Sequence, residues 1–231
     1  MSNSTLVNNL FNDLSTRYDF LNDLFSFGLH RFWKRKLLNH LQPICGEVWV
    51  DLCCGTGDLT FPLAKLVKPH GKVIGIDAAC QPLYLAEKRL IKETELSIEW
   101  INKDVLDEDL MFEYFDGAVM AYGLRNLSDP LKGLKAIRRF LKPGGRAGVL
   151  DFNKTSNNSI SGLFQKLYLN FLVVPIASRF GFKNHFKYLV DSIQNFPDGV
   201  SLENLAIKAG FLEAKYYKIA GNQMGILLLK N

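Results

Sequence analysis

The sequence lacks the features of secreted, disulfide-stabilised and membrane-spanning proteins. It has only four cysteines, at positions 45, 53, 54 and 80, and their spacing fits neither a disulfide framework nor paired C-x-x-C metal ligands. The N-terminus has no basic segment followed by an apolar one, and the longest apolar stretch, 169–177, is interrupted by Asn170 and Pro175. We therefore expect a soluble, cytoplasmic protein without a signal peptide, a membrane span or a metal site.

A strong charge of one sign is also missing, as are internal repeats and low-complexity segments. The chain has 28 basic and 23 acidic residues, and its 48% hydrophobic residues are enough for one globular domain with small appendages. No nucleic-acid partner is predicted. Part of the positive charge lies in Arg31, Lys34, Arg35 and Lys36, beside aromatic residues. This segment fits either a peripheral contact with anionic lipid or the solvated face of a helix.

From Val48 onward, short segments rich in β-branched residues alternate with helical patterns. Strands are predicted at Val48–Leu52, Lys72–Ile76, Ser97–Asn102, Tyr114–Met120 and Ala147–Phe152. One helix is predicted from Asp58 to Leu66, and another begins at Pro130 with Asp129 as its N-cap. This alternation indicates a parallel sheet with helices on both faces.

The alternation stops after the fifth strand. An apolar helical insertion is predicted next, and Ser201 is then expected to cap a short helix. Two last strands, Leu212–Ile219 and Gln223–Leu229, predict an antiparallel hairpin at the edge of the sheet. The expected organisation is an N-terminal helical segment (1–40), a Rossmann-like core (41–153), the insertion (154–200) and a C-terminal helix and hairpin (201–231).

The strongest local motif is a strand that leads into a glycine-rich turn and then a helix. It contains Asp51, Gly55, Thr56 and Gly57, and glycines at such a turn let a ligand lie against bare backbone. The second strand then ends at Asp77, whose carboxylate can accept hydrogen bonds from both hydroxyls of a ribose. Together the two features predict an adenosine-containing ligand.

The residues around the turn distinguish between two such ligands. A dinucleotide site needs a third glycine where Thr60 stands, and the acidic Asp58 would repel a pyrophosphate. S-adenosylmethionine (SAM) carries a sulfonium cation instead, which Asp51 and Asp58 would attract, while Asp104 and Val105 would contact its adenine. Helix and turn caps are the plain alternative for Asp58 and Asp104. We predict the class I SAM-dependent methyltransferase fold, with a seven-stranded, mostly parallel sheet; a nicotinamide-dependent dehydrogenase is the enzymatic alternative.

Three segments resemble one family of methyltransferases. They are Tyr18–Trp33, with the sequence YDFLNDLFSFGLHRFW, Tyr122–Asn126, and Arg139–Gly145, with the sequence RFLKPGG. These stretches resemble the UbiE/MenG family of quinone-ring C-methyltransferases, and the resemblance covers nearly the whole chain. It implies methyl transfer from SAM to a ring carbon of a lipid quinol. It also places cofactor contacts at Thr56, Asp77, Asp104, Val105 and Ala121.

The chain departs from the family pattern in two places. Leu21 stands where the family commonly has Met, and the fifth strand ends in Asp151-Phe152-Asn153-Lys154 where Glu-x-Ser is usual. Together with Val173-Val174-Pro175, this ending resembles the phylloquinone branch of the family. The implied substrate is demethylphylloquinol, a 2-phytyl-1,4-naphthoquinol. Demethylmenaquinol or a ubiquinone precursor is the alternative.

Methylation of a quinol ring carbon needs a group that ionises or polarises the neighbouring hydroxyl, because only then does the carbon become nucleophilic. The candidates are Arg125, Asn126, Tyr122, His30 and Asp19. Arg125 would stabilise the quinolate oxygen, and Asn126 would orient it. A surface ion pair is the alternative role for Arg125, and a half-buried structural position is the alternative for His30. The sequence does not single out one base.

The lipid tail of such a substrate needs an apolar surface, and the insertion is rich in apolar residues. Its apolar residues include Phe164, Leu167, Leu169, Phe171, Leu172, Val173, Val174, Ile176 and Phe180. They fit a substrate channel, a contact with the bilayer or the packing of a core. A membrane-peripheral binding module without catalysis is thus the non-enzymatic alternative. Neither the prenyl length nor the oligomeric state follows from the sequence.

Overall fold

The chain folds around one seven-stranded sheet. The computed structural model describes residues 26, 28–110, 113–155, 159–179 and 183–231. The strands are β1 (Val48–Leu52), β2 (Lys72–Asp77), β3 (Ile98–Asn102), β4 (Phe115–Ala121), β5 (Leu141–Phe152), β6 (Glu213–Ile219) and β7 (Met224–Lys230). They lie in the order β3-β2-β1-β4-β5-β7-β6. The first five strands are parallel, and β7 is antiparallel to both of its neighbours.

This architecture confirms the predicted class I methyltransferase fold, and most predicted strands agree with the observed ones to within a residue. The exception is β5, which begins at Leu141 and not at Ala147. Leu141 already pairs with Phe115, and after a shift in register the pairing resumes between Arg146 and Gly117. The intervening Lys-Pro-Gly-Gly sequence, with Gly144 at φ 78°, concealed this first part of the strand because it lacks β-branched residues.

Helices cover both faces of the sheet. They are α1 (Leu29–Leu41), α2 (Thr60–Val67), α3 (Cys80–Leu90), α4 (Pro130–Phe140), α5 (Ile160–Leu167), α6 (Val174–Arg179), α7 (Lys183–Asn195) and α8 (Gly199–Lys208). A π-helical turn, Tyr168–Val173, joins α5 to α6. The predicted cap of α4 is confirmed, because the Asp129 carboxylate accepts a hydrogen bond from the Leu131 amide at 2.8 Å.

Two helix starts differ from the prediction. Helix α8 begins at Gly199, and its N-cap is Asp198, whose carboxylate accepts a hydrogen bond from the backbone amide of Ser201. The prediction of Ser201 as the cap is therefore wrong; both residue types cap helices well, and the carboxylate lies three residues earlier. Helix α2 begins at Thr60, two residues after the predicted Asp58, whose side chain is engaged elsewhere. Any helix before Ser26 lies outside the described residues.

The N-terminal helix α1 lies across β5 and is fixed there by packing and hydrogen bonds. Leu37 and Leu41 pack directly over Gly148, where a Cβ atom would come within 2.6 Å of the Leu37 side chain. Arg146 donates to the carbonyl of Leu41 at 2.6 Å and forms a bidentate pair with Glu47. The end of α1 is thus fixed beside Arg146, and its first half reaches the glycine turn after β1, where Lys34 Nζ lies 3.2 Å from Asp58 Oδ2.

The insertion rests on the end of β5 through a small apolar cluster of its own. Leu169, Val173 and Ile193 are buried there, with Phe152 packed against them. Among the described residues, no helix is both long enough and apolar enough to cross a bilayer. The boundaries 1–40, 41–153, 154–200 and 201–231 stay a prediction.

Candidate active site

The carboxyl ends of the parallel strands bring the predicted cofactor residues to one edge of the sheet. At the end of β2, the Asp77 carboxylate accepts hydrogen bonds from the Gly55 and Ala79 amides, both at 2.8 Å. The Asn102 side chain, at the end of β3, donates to the Asp77 carbonyl at 2.9 Å. Burial raises the pKa of Asp77, against the effect of its two backbone hydrogen bonds, and the nearby Asp104 raises it further. Asp77 thus links the second strand to the glycine turn.

The turn after β1 leaves room for a ligand above its backbone. Cys53, Gly55 and Gly57 all have positive φ angles, of 57°, 56° and 82°. A Cβ atom on Gly57 would collide with the rings of Trp100 and Phe61, so this glycine is needed for packing. A Cβ atom on Gly55 would meet no other atom within 4 Å. The space above Gly55 is therefore open, and a ligand can approach the backbone of this residue closely.

Thr60, the residue that replaces the third glycine of a dinucleotide motif, holds a buried carboxylate. Its hydroxyl donates to Asp51 Oδ2 at 2.6 Å, and both residues are buried. Burial raises the pKa of Asp51 to about 7, although the Thr60 hydrogen bond and the Lys34 charge oppose the shift; the negative charges of Asp77 and Asp58 add to it. A cation bound beside Asp51 would favour its ionised form.

This raised pKa predicts that the protein without cofactor loses stability as the pH rises from about 4 to 7. The pKa of Asp51 is about 7 in the folded protein, whereas its ordinary value, expected in the unfolded chain, is 3.8. Between these two values the native state binds more protons than the unfolded state, so the free energy of unfolding falls as the pH rises until Asp51 is ionised in both states. In the wild type, the free energy of unfolding should fall by on the order of 2–4 kcal/mol over this range. In Asp51→Asn, whose side chain cannot ionise, this decrease should be absent. Denaturant unfolding at a series of pH values measures it. Equal pH dependence in the wild type and the variant would contradict the assignment.

Asp58 does not remain available for a cationic ligand, because three basic side chains surround it. Lys34 Nζ lies 3.2 Å and His30 Nε2 3.6 Å from Asp58 Oδ2, and Arg89 Nη1 lies 3.1 Å from Asp58 Oδ1. Although burial alone raises the pKa of Asp58, these neighbours hold it well below its ordinary value. The same Arg89 donates to the Thr56 carbonyl at 2.8 Å. Asp58 therefore attaches α1 and α3 to the glycine turn.

A buried ion pair joins the ends of β4 and β5. Arg125 Nη1 lies 2.6 Å from Asp151 Oδ1, and the two side chains are only 6% and 4% exposed. The same Nη1 donates to the Tyr122 carbonyl at 2.8 Å, and the Arg125 amide donates to Asp151 Oδ2 at 3.2 Å. Arg125 therefore does form an ion pair, as the structural alternative proposed, but the pair is buried and not at the surface. Its hydrogen bonds hold the guanidinium in one orientation.

Tyr122 and Asn126 complete this end of the sheet. Tyr122 has a positive φ of 61°, and the Asn126 side chain donates to the Tyr122 carbonyl at 2.9 Å. From the insertion, the Tyr188 hydroxyl donates to Asn126 Oδ1 at 3.3 Å. Lys34 Nζ lies 5.8 Å from the centre of the Tyr122 ring. The first strand's glycine turn and the fourth strand's end are thus connected by α1.

The other predicted residues are distributed around the same edge. Thr56 is buried in the glycine turn, and Ala121 is half-buried at the end of β4. Asp104 accepts a hydrogen bond from the Leu106 amide at 3.0 Å, which is the turn-cap role, and Val105 is buried in the main core. Asp19 lies outside the described residues. Its role, like the other predicted site roles, stays a prediction.

Three side chains at this edge were absent from the predicted site: Asp151, Lys34 and Tyr188. Asp151 had a signal in the sequence, because it ends a parallel strand just as Asp77 does. Lys34 belongs to the basic segment, but the sequence does not indicate which of its four charges turns inward. Tyr188 carried no signal, since its contact with Asn126 depends on how the insertion folds back.

Asp77→Ala is expected to weaken SAM binding about tenfold to a hundredfold, the size of hydrogen bonds to a charged group. Isothermal titration calorimetry measures the affinity, and circular dichroism checks the fold. Asp116→Ala is the matched control, because Asp116 also accepts from a backbone amide, that of Val48, but at the opposite edge of the sheet. A folded Asp77→Ala protein with wild-type affinity would show that the ribose does not bind there.

Comparisons with known proteins identify the family of the chain. The sequence pattern of the ubiE/COQ5 methyltransferase family matches residues 1–228. A Nostoc punctiforme protein named 2-phytyl-1,4-naphtoquinone methyltransferase is 40% identical over 224 residues, which cover 96% of this chain and 97% of that protein. An Arabidopsis thaliana protein named 2-phytyl-1,4-beta-naphthoquinone methyltransferase, chloroplastic, is 40% identical over 222 residues, which cover 95% and 85%.

Solved structures with low sequence identity share the fold. A SAM-dependent methyltransferase from Aquifex aeolicus superposes with a TM-score of 0.63 at 18% identity, covering 85% of this chain and 88% of that one. A phosphoethanolamine N-methyltransferase from Haemonchus contortus, solved in complex with SAM, gives a TM-score of 0.69 at 15% identity, covering 96% and 60%. At these identities the comparison concerns the architecture alone.

Proposed function

Because the chain belongs to the ubiE/COQ5 methyltransferase family, we propose that it methylates a ring carbon of a 2-phytyl-1,4-naphthoquinol, with SAM as the methyl donor. The product would be phylloquinol. The observation that carries this proposal is the 40% identity, over nearly the full length of both chains, with relatives named 2-phytyl-1,4-naphtoquinone methyltransferase. The phylloquinone-like ending of β5 in the sequence agrees with it.

The charges at the strand ends support a cationic cofactor. Burial is the main cause of the raised pKa values of Asp51 and Asp77, and repulsion by neighbouring carboxylates raises both pKa values further. A positive ligand relieves this repulsion, whereas a pyrophosphate would add to it. When bound, SAM supplies a methyl group on a positively charged sulfur. Gly55 offers its open backbone to this ligand, and Asp77 would accept hydrogen bonds from its ribose.

The ring to be methylated would lie beside the ends of β4 and β5. The reaction forms a bond from the ring carbon to the methyl group and breaks the sulfur–methyl bond; the quinol hydroxyl ionises beforehand, and the ring proton leaves afterwards. We propose that Arg125 stabilises the quinolate oxygen and that Asn126 and Tyr122 orient it. His30, held near Asp58, and Asp19 remain the candidates for accepting a proton.

The test is a methylation assay with radiolabelled SAM and a panel of reduced quinols. We expect the highest kcat/KM with 2-phytyl-1,4-naphthoquinol, and lower values with a prenylated demethylmenaquinol and with a ubiquinone precursor. Turnover of the ubiquinone precursor alone would overturn the proposed substrate. Parallel titrations with SAM and a nicotinamide dinucleotide would detect a dehydrogenase, which would bind only the dinucleotide.

A phytyl tail confines the substrate to a bilayer, so we propose that the enzyme works at a membrane surface, from the cytoplasmic phase. The basic residues of α1 and the apolar residues of the insertion are two candidates for this peripheral contact. The burial and charge of these residues distinguish between the two candidate contacts.

A further inference from the structure

Helix α5, the first helix of the insertion, turns its polar side toward the protein. Gln165 is buried, accepts a hydrogen bond from the Thr155 hydroxyl at 2.8 Å and donates to the Asn153 carbonyl at 3.1 Å. The Ser161 carbonyl accepts a hydrogen bond from the Gln223 side chain at 2.9 Å. A surface helix of a globular protein ordinarily has the reverse orientation, with its apolar side on the core.

The opposite side of α5 and the following turn is apolar and exposed. The exposed residues recur at helical spacing and form what we call the α5 face: Ile160 (91% exposed), Leu163 (57%), Phe164 (58%), Leu167 (46%) and Phe171 (77%). Single exposed apolar side chains are common on protein surfaces, but a continuous row of five is typical of an interaction surface. The α5 face therefore needs an apolar partner.

Local contacts and contacts with the rest of the protein hold the α5 face in this orientation. Ser159 caps the helix by accepting a hydrogen bond from the Gly162 amide at 3.0 Å, and Phe164 stacks on Tyr168 with an angle of 9° between the rings. Just beyond, Leu169 and Val173 are buried against the end of β5. Because Gln223 holds one end of the segment at Ser161 and the burial of Leu169 and Val173 holds the other, the exposed row is not produced by a loosely attached helix.

The charge of the surrounding sequence indicates what kind of apolar partner it is. Between Asp151 and Asp191 there is no acidic residue, although the whole chain has 23. The same interval contains five lysine and arginine residues: Lys154, Lys166, Arg179, Lys183 and Lys187. Apolar side chains accompanied by basic charge and no acidic charge fit the surface of a bilayer that contains anionic lipids.

We propose that the α5 face docks the protein on a bilayer with anionic lipids, and that it, and not α1, is the principal membrane contact. Gln165 of α5 donates to the carbonyl of Asn153, two residues after Asp151, so docking through α5 would bring the proposed quinol site next to the membrane surface. The proposal rests on the proposed function only in taking the substrate from a bilayer. Helix α1 has less basic charge at its surface than its sequence suggests, because one of its four clustered basic residues, Lys34, is buried against Asp58.

The test compares the full-length wild type with Ile160→Ser/Leu163→Ser by sedimentation with vesicles of phosphatidylcholine and phosphatidylglycerol, without substrate. We expect the double variant to partition at least about tenfold more weakly, and high salt to weaken wild-type binding. Leu212→Ser is the matched control, because Leu212 is 74% exposed outside the α5 face, and it should bind like the wild type. Equal partition of the wild type and the double variant would overturn the proposal.

Two further measurements separate this proposal from its alternatives. If Phe32→Ser on α1 abolishes vesicle binding while Ile160→Ser/Leu163→Ser does not, the contact belongs to α1 and the proposal is wrong. If the double variant only converts a dimer to a monomer in analytical ultracentrifugation, the α5 face binds a second copy and the proposal is wrong.

An assay with a short-tailed naphthoquinol in solution separates docking from catalysis. We expect the double variant to methylate this substrate at the wild-type rate and to lose activity only on vesicle-borne phytyl naphthoquinol. A wild type that methylates the short-tailed substrate without binding vesicles would overturn docking and leave the proposed function standing. Vesicle binding without methylation of any quinol would overturn the proposed function and leave docking standing.

Discussion

The reduced 2-phytyl-1,4-naphthoquinol should be methylated, and the oxidised quinone should not react. Only the quinol has a hydroxyl whose ionisation pushes charge onto the neighbouring ring carbon, and without that charge the carbon is too weak a nucleophile to displace the methyl group. The measurement is transfer of radiolabel from SAM under anaerobic conditions, with the substrate kept either fully reduced or fully oxidised. The expected difference is the presence or absence of turnover.

A quinol ether provides the control for this experiment. If the hydroxyl next to the reacting carbon carries a methyl ether, the ring stays reduced but cannot ionise at that position, and turnover should fall by at least about 10²-fold. This compound separates ionisation from the redox state itself. Comparable rates with quinone and quinol, or with the ether and the free quinol, would rule out a mechanism through the quinolate.

Replacing Arg125 should lower kcat by about 10²-fold or more and leave the affinity for SAM nearly unchanged. The charge that Arg125 meets develops only as the hydroxyl ionises, so its loss acts on the transition state more than on binding. The structure adds a second effect to Arg125→Ala. The variant leaves Asp151 buried without its cation, at a cost of about 3–5 kcal/mol in folding stability.

Arg125→Lys is therefore the more informative variant. It keeps a cation beside Asp151, so the protein should fold, but an ammonium lacks the planar fork that contacts Asp151 and the Tyr122 carbonyl together. We expect it to recover only part of the lost kcat. The measurements are steady-state kinetics on the phytyl naphthoquinol, calorimetric titration of SAM, and thermal unfolding.

Arg146→Lys is the matched control, because Arg146 is also a fork-shaped partner of a carboxylate, Glu47, but lies in the first half of β5, away from the candidate site. Its replacement should change thermal stability slightly and kcat little. Near wild-type kcat in folded Arg125→Lys and Arg125→Ala proteins would assign Arg125 to a structural ion pair. His30 and Asp19 would then be the next candidates to test.

The sequence by itself determined the features that depend on neighbouring residues. The alternation of strands and helices predicts the parallel sheet, because each pattern reports which face of an element is buried. The cap formed by Asp129 and the turn at Gly55 follow from local backbone geometry. Local rules fail where two residues close in the sequence suit the same role: they predict Ser201 as the cap of α8, whereas the observed cap is Asp198, three residues earlier.

Only the tertiary structure decided which distant side chains meet. The partners Arg125 and Asp151 are 26 residues apart, and they meet because β4 and β5 are adjacent and parallel. Likewise, Lys34 reaches Asp58 only because α1 packs across β5. No periodicity encodes such pairs, since each depends on the order of strands and on the helix that covers them.

The insertion illustrates the same limit for burial. From the sequence, its apolar residues fitted a core, a channel or a bilayer contact equally well, because hydrophobicity alone does not say which side of a helix faces the protein. The structure separates them: Leu169 and Val173 are buried, whereas Phe164, Leu167 and Phe171 are exposed. The polar anchor of Gln165 decides this division, since its buried hydrogen bonds fix the rotation of α5 about its axis.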